Sequence, residues 1–138
     1  MEVEAKFIEG RTFLTKGESN HWVALDTAKE KGGGGAVSTP MEMVLMGLAS
    51  CTGLDVVVIL EKRRVKLDDF NIKISAERAE SHPRVYTKIH LSYQFTSSDL
   101  TGKDAERAIQ LSQDKYCSVS KMLDKTAEIT YDYEVRRP

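Results

Sequence analysis

Hydrophobic and polar positions alternate with a period of two over much of this chain, and the one long departure is an apolar run at residues 43–60. Period-two alternation lays one side of a strand against a dry surface. Val3, Ala5 and Phe7 alternate with charged neighbours and predict a first strand. Thr12-Phe13-Leu14 and Trp22-Val23-Ala24-Leu25 predict two more, each after a turn-like segment (Glu9-Gly10, then Gly17-Glu18-Ser19-Asn20). Phe70, Ile72, Ile74 and Ala76 form one strongly alternating set, and Ile89, Leu91, Tyr93 and Phe95 another. Ile129, Tyr131, Tyr133 and Val135 predict a last strand. Between these sets, residues 101–115 carry Ala105, Ala108, Ile109 and Ser112 on one helical stripe, and a short helix follows Cys117. The order βββ-α-ββ-αα-β predicts an α+β fold with antiparallel sheet, and residues 1–138 read as one domain.

The apolar run has a clear helix start. Thr39 suits the N-cap, Pro40 the first helical position, and Glu42 stands three residues after Thr39, which completes a capping box. Lys62, Arg63 and Arg64 suit the negative end of the helix dipole. The run is 18 residues long and contains Asp55, Ser50 and Thr52. A membrane span needs about 20 predominantly apolar residues, so a helix buried inside protein is the better reading. Because this helix is apolar on all sides, it needs cover on all sides. One small sheet covers one face; the other requires a second long helix or a second subunit. Gly32 to Gly35 read as a flexible connector, without the Gly-Lys-Ser/Thr of a phosphate-binding loop.

Composition narrows the function classes. Apolar residues make up 41% of the 138 positions, charged residues 30%, and the net charge is −1, as in a soluble globular protein. No basic field invites nucleic acid. The N-terminus is charged from residue 2 and strand-like, so it does not read as a signal peptide. Two cysteines are too few for a secreted disulfide framework, and a reducing cytoplasm is the expected location. His21, His82 and His90 lack ligand spacing and two cysteines 66 residues apart make no zinc pattern, so no metal site is expected.

The candidate chemistry lies in the thiols. Cys51 sits mid-way along the apolar helix, where burial alone would raise its pKa and leave it inert. Asp55, one turn on, would oppose thiolate formation, so a cation would be needed nearby. Arg11, Arg63, Arg64, Arg84 and Lys115 are the available groups. Cys117 opens a short helix, where unpaired N–H groups favour an anion. Two thiols so placed suit a peroxide-attacking and a resolving cysteine. Two inert core cysteines are the competing reading, and the residues alone leave both open.

Two segments carry a family resemblance. Thr39-Pro40-Met41-Glu42, running through a helix to Ser50-Cys51-Thr52, resembles the proline–glutamate helix start and first cysteine of the OsmC/Ohr superfamily of thiol-dependent hydroperoxide peroxidases. Tyr116-Cys117-Ser118-Val119-Ser120-Lys121 is similar to that family's second-cysteine motif, usually Cys-Pro-Val-Ser-Lys. The resemblance covers nearly the whole chain and implies an intertwined homodimer, with antiparallel sheets wrapped around a long buried cysteine-bearing helix. It implies that Cys51 attacks organic or fatty-acid hydroperoxides, that Cys117 resolves the sulfenic acid as a disulfide, that a dithiol such as a dihydrolipoyl group resets the pair, and that no metal or bound organic cofactor is needed. It also implies catalytic roles for Glu42 and Arg11. The chain departs from the pattern in having Met41 directly after the proline, with Glu42 one residue later, and Ser118 in place of the second motif's proline. These departures point to a less-characterised branch and keep a second expectation in view, a non-catalytic protein binding a small apolar ligand or a partner at the dimer cleft.

Overall fold

A computed structural model describes residues 1–138. The chain divides into two compact units, residues 1–46 and 47–138.

The N-terminal unit holds an antiparallel three-stranded sheet of β1 (Val3–Glu9), β2 (Thr12–Gly17) and β3 (Val23–Leu25), in that order. All of β1 is exposed, so Val3 and Phe7 gain no dry face within the chain. After β3 comes a short 3₁₀ turn, Lys29–Lys31, and then the glycine run. The expected flexible connector is in fact pinned. Asp26 accepts hydrogen bonds from the backbone N–H of Gly34 at 2.9 Å and of Thr27 at 2.6 Å, and from the Thr12 hydroxyl at 3.3 Å. These bonds hold its carboxyl below the usual value. Gly33 passes so close to residue 27 that a Cβ there would sit 1.8 Å from the Thr27 carbonyl oxygen. Glycine here serves close approach rather than freedom.

Helix α1 (Pro40–Lys62) begins in this unit and runs into the next. The capping box forms as expected: Thr39 N–H donates to Glu42 Oε2 at 2.6 Å, and Glu42 N–H donates to Thr39 Oγ1 at 3.2 Å. By length and composition α1 could cross a membrane, with 22% of its most apolar stretch buried inside the chain. Its burial is one-sided. Leu48, Thr52, Val56 and Leu60 are fully buried, whereas Leu54 is 69% and Val58 45% exposed. The all-round cover expected from the sequence is absent within one chain.

In the C-terminal unit a second sheet has the order β4 (Asp69–Arg78), β5 (Tyr86–Thr96), β6 (Glu128–Arg136). Register sets the apolar faces in line: Phe70 opposite Phe95 and Val135, Ile72 opposite Tyr93 and Tyr133. The Phe70 and Phe95 rings stack at 4.6 Å. Gly53 lets α1 lie close, since a Cβ there would be 3.3 Å from Ile72 Cδ1. The α+β class and the strand faces are as expected, but β6 pairs with β5 in parallel rather than antiparallel. The cause is the intervening crossover, helices α2 (Gly102–Leu111) and α3 (Ser118–Leu123), which returns the chain to the starting end of the sheet.

Candidate active site

Between α2 and α3 the chain makes one π-helical turn, Ser112–Tyr116, closed by a hydrogen bond from Cys117 N–H to the Ser112 carbonyl at 2.8 Å. Such widened turns recur at functional sites. This one carries buried Ser112 and Gln113 and delivers Cys117 to the N-cap of α3.

The turn meets α1 at the two thiols. Cys51 Sγ, Cys117 Sγ and a carboxylate oxygen of Asp55 all lie within 4.8 Å of one another. Both cysteines are free; Cys51 is half-buried and Cys117 fully buried. The fold therefore closes a separation of 66 residues and brings together two of the four expected site residues, with Asp55 beside them.

Their exposures reverse the sequence expectation, which had Cys51 as the shielded thiol. Burial pushes the Cys117 thiol up to about 12, a backbone N–H at Ser120 partly offsets that, and Cys51 and Asp55 push it further up. The Ser120 N–H reaches Cys117 Sγ at 3.4 Å. The helix start thus supplies the expected donor, and burial outweighs it.

A buried polar network backs the site. Thr52 Oγ1 is 2.8 Å from both Tyr93 Oη and Ser112 Oγ. Ser112 Oγ donates to Asp55 Oδ2 at 2.9 Å. Gln113 Nε2 donates to Tyr93 Oη at 2.8 Å and to Thr52 Oγ1 at 3.2 Å, and its Oε1 accepts from Ser120 Oγ at 2.6 Å. Burial raises the Tyr93 phenol above its ordinary value. Sequence reasoning missed these residues as a set. The available signal was polarity on apolar stripes, at Thr52 in α1 and at Ser112 in the α2 pattern.

Asp55 also lines a cavity of about 390 Å³. Leu54, Val58, Ile59, Leu111 and Tyr116 give that cavity apolar walls, and Lys62, Arg63 and Arg107 add cations. Arg63 is paired with Asp104.

Glu42 and Arg11 fall in the N-terminal unit. Glu42 is engaged in the capping box, and its bonds to Thr39 hold its carboxyl below the usual value. Arg11 lies against the glycine loop, 3.5 Å from where a Cβ on Gly32 would stand, and its charge acts on Asp26.

The family model for OsmC-like protein matches residues 32–132, from the glycine run to the last strand, with both cysteines inside. This chain belongs to the OsmC-like family. Among its relatives, Protein YhfA of Escherichia coli (strain K12) is 42% identical over 135 residues, covering 98% of each chain. The crystal structure of a hypothetical protein from Aquifex aeolicus VF5 matches with a TM-score of 0.87 at 31% identity, over 99% of this chain and 96% of that one. The Organic Hydroperoxide Resistance Protein OhrB of Bacillus subtilis matches with a TM-score of 0.64 at 15% identity, over 96% of each chain. At that identity the likeness is one of fold.

Proposed function

We propose that this OsmC-like protein is a thiol-dependent peroxidase that reduces organic hydroperoxides. The observation that carries the reading is the pair of free sulfurs within 4.8 Å, one half-exposed and one buried. Cys51, the accessible thiol, attacks the peroxide, releases the alcohol and becomes a sulfenic acid. Cys117 condenses with it to a disulfide and releases water, and an external dithiol resets the pair by exchange. Burial protects Cys117 from direct oxidation, which suits a resolving rather than an attacking thiol. The fold shared with the organic hydroperoxide resistance protein OhrB supports the same chemistry.

In this reading residues 1–138 act as one functional domain of a cytoplasmic homodimer. The uncovered side of α1, with Leu54 and Val58, and the exposed Phe7, Phe13 and Trp22 of the N-terminal unit are apolar surface of the kind a second copy covers. For Glu42 and Arg11 a catalytic role rests on the family resemblance alone.

The test mixes reduced protein with cumene hydroperoxide and a dithiol, alongside Cys51→Ser and Cys117→Ser. Wild type consumes peroxide at the expense of dithiol. It loses two hydrogens in intact mass after peroxide alone, and Cys117→Ser accumulates a trappable sulfenic acid. Peroxide consumption no faster than that of Cys51→Ser sinks the proposal.

One observation favours a second reading, the binding of a small apolar ligand without catalysis. The cavity beside Asp55 has apolar walls, while Glu42 is fully engaged as a capping residue. Free thiols that persist under peroxide, together with saturable binding of an apolar probe, would support it.

A further inference from the structure

Cys117 has to lose a proton to close a disulfide, and burial works against its doing so unaided. Burial, with Cys51 and Asp55 beside it, holds this thiol protonated at pH 7. Disulfide closure therefore needs a base within reach. Asp55 is the carboxylate whose oxygen lies within 4.8 Å of both sulfurs, a span that a small approach or one water bridges.

With Gln113 Oε1 accepting from Ser120 Oγ and its NH₂ donating to Tyr93 Oη and Thr52 Oγ1, the network behind Asp55 runs in one direction. The Tyr93 proton can then go only to Thr52, the Thr52 proton to Ser112, and the Ser112 proton to Asp55. Reversing the chain would leave the phenol proton facing an NH₂ that has no lone pair to offer. Three hydroxyls in series thus point at the carboxylate and hold it as an acceptor beside the thiols.

We propose that Asp55 is the proton shuttle of disulfide closure, taking the Cys117 proton as that sulfur attacks the Cys51 sulfenic acid and delivering it to the departing hydroxyl. The Cys117 S–H and Cys51 S–O bonds break, the S–S bond and one O–H bond form, and water leaves. The Cys117 sulfur is oxidised, the sulfenic sulfur is reduced, and Asp55 ends as it began. The oxidant is the hydroperoxide that made the sulfenic acid, so the proposal rests on the peroxidase reading above. Ser112 is a positioning residue in this scheme, acting through Asp55.

The experiment separates the two steps. Reduced full-length protein receives one equivalent of cumene hydroperoxide. It is quenched over time with dimedone, which traps sulfenic acid, and with a thiol alkylator, which counts free Cys117. In Asp55→Asn the side-chain oxygen can still accept from Ser112, and closure is read relative to the Cys51 oxidation rate measured in the same variant. Closure slows by about 10²-fold at pH 7, and the dimedone adduct accumulates. Wild-type closure is flat between pH 6 and 8, whereas closure in Asp55→Asn rises about tenfold per pH unit, because Cys117 must ionise alone. Ser112→Ala slows closure less and keeps the flat profile. If Asp55→Asn closes within twofold of wild type with a flat profile, the shuttle is wrong and the peroxidase stands. If wild type forms neither sulfenic acid nor disulfide, the peroxidase reading fails and the shuttle falls with it. If Asp55→Asn does not fold, the wild-type profile decides: flat supports the shuttle, and a tenfold rise per unit overturns it.

Discussion

Thr52→Val removes one hydroxyl from the fully buried centre of the network and keeps the side-chain shape. In the intact protein the Tyr93 phenol donates to Thr52 Oγ1 at 2.8 Å, and Thr52 donates to Ser112 at 2.8 Å. Valine leaves the phenol proton without an acceptor at a residue that is 0% exposed. Gln113 loses its longer 3.2 Å bond to Thr52 but still donates to Tyr93, and Ser112 still donates to Asp55, so the main loss is the buried phenol donor left without an acceptor. Such a group costs about 1–3 kcal/mol. At a chain length of 138, about 2 kcal/mol lowers the melting temperature by about 8 °C. The sharper prediction is the coupling with Tyr93→Phe. Alone, that change deprives one Gln113 N–H of an acceptor and destabilises by about 1 kcal/mol. On the Thr52→Val background it removes the orphan itself, so the second change is neutral or stabilising. Urea titrations of the four proteins, reduced and at one concentration, give a coupling of about 1–2 kcal/mol. Additivity within about 0.5 kcal/mol would refute the directed network, and with it the polarity assigned to the chain ending on Asp55.

Two further predictions address the N-terminal unit. Gly33→Ala places a Cβ 1.8 Å from the Thr27 carbonyl oxygen, which forces the backbone to move, so the variant melts at least about 5 °C lower while the same change at Gly47, whose Cβ meets nothing within 4 Å, does not. The Asp26 carboxyl lies below its ordinary 3.8 because Gly34 N–H, Thr27 N–H and then Thr12 stabilise its charged form. The stability it supplies is therefore complete above about pH 4 and lost as pH falls through the lowered folded value. Hydrogen exchange at residues 26–34 should rise along that acid limb in wild type, and Asp26→Asn should raise it already at neutral pH. Equal exchange in the two proteins at neutral pH would show that the loop is held by other means.

The strand faces were legible because alternation reports which side of a strand is dry, and Phe70, Tyr93 and Tyr133 meet on one face as their spacing requires. Strand direction was not legible, since the pattern Ile129-Tyr131-Tyr133-Val135 reads the same in either sense. It was fixed by a crossover whose path depends on α2 and α3. The capping box of Thr39 and Glu42 was legible because it is made by residues three apart. Arg11 was not placeable, because its partners, Asp26 and the loop at Gly32, are brought to it by turns with no spacing rule. Asp55 was visible in the sequence as a charge that opposes thiol ionisation, and it does so for Cys117; the acceptor role proposed for it needs contacts that the sequence does not display. Only the hydroxyl chain from Tyr93, 41 residues from Thr52, distinguishes the two roles.

The register of α1 ties these roles together. At about 100° per residue, Asp55 lies about 40° around the helix from Cys51, and Thr52 about 60° from Asp55 on the other side. Thr52 belongs to the buried stripe of Leu48, Val56 and Leu60 and anchors the network. Cys51 and Asp55 occupy the adjoining strip at the edge of the core, where the π-helical turn brings Cys117 to meet them. This edge position gives the two sulfurs unequal access, Cys51 open to a hydroperoxide and Cys117 shielded from it. A pair buried together could not be reached, and a pair exposed together would compete for oxidant. In the proposed peroxidase this inequality sets the order of reaction, Cys51 first and Cys117 second, and the burial that protects Cys117 also keeps it protonated. On that reading a shielded resolving thiol calls for a proton acceptor beside it, and Asp55 stands one turn from Cys51 on α1.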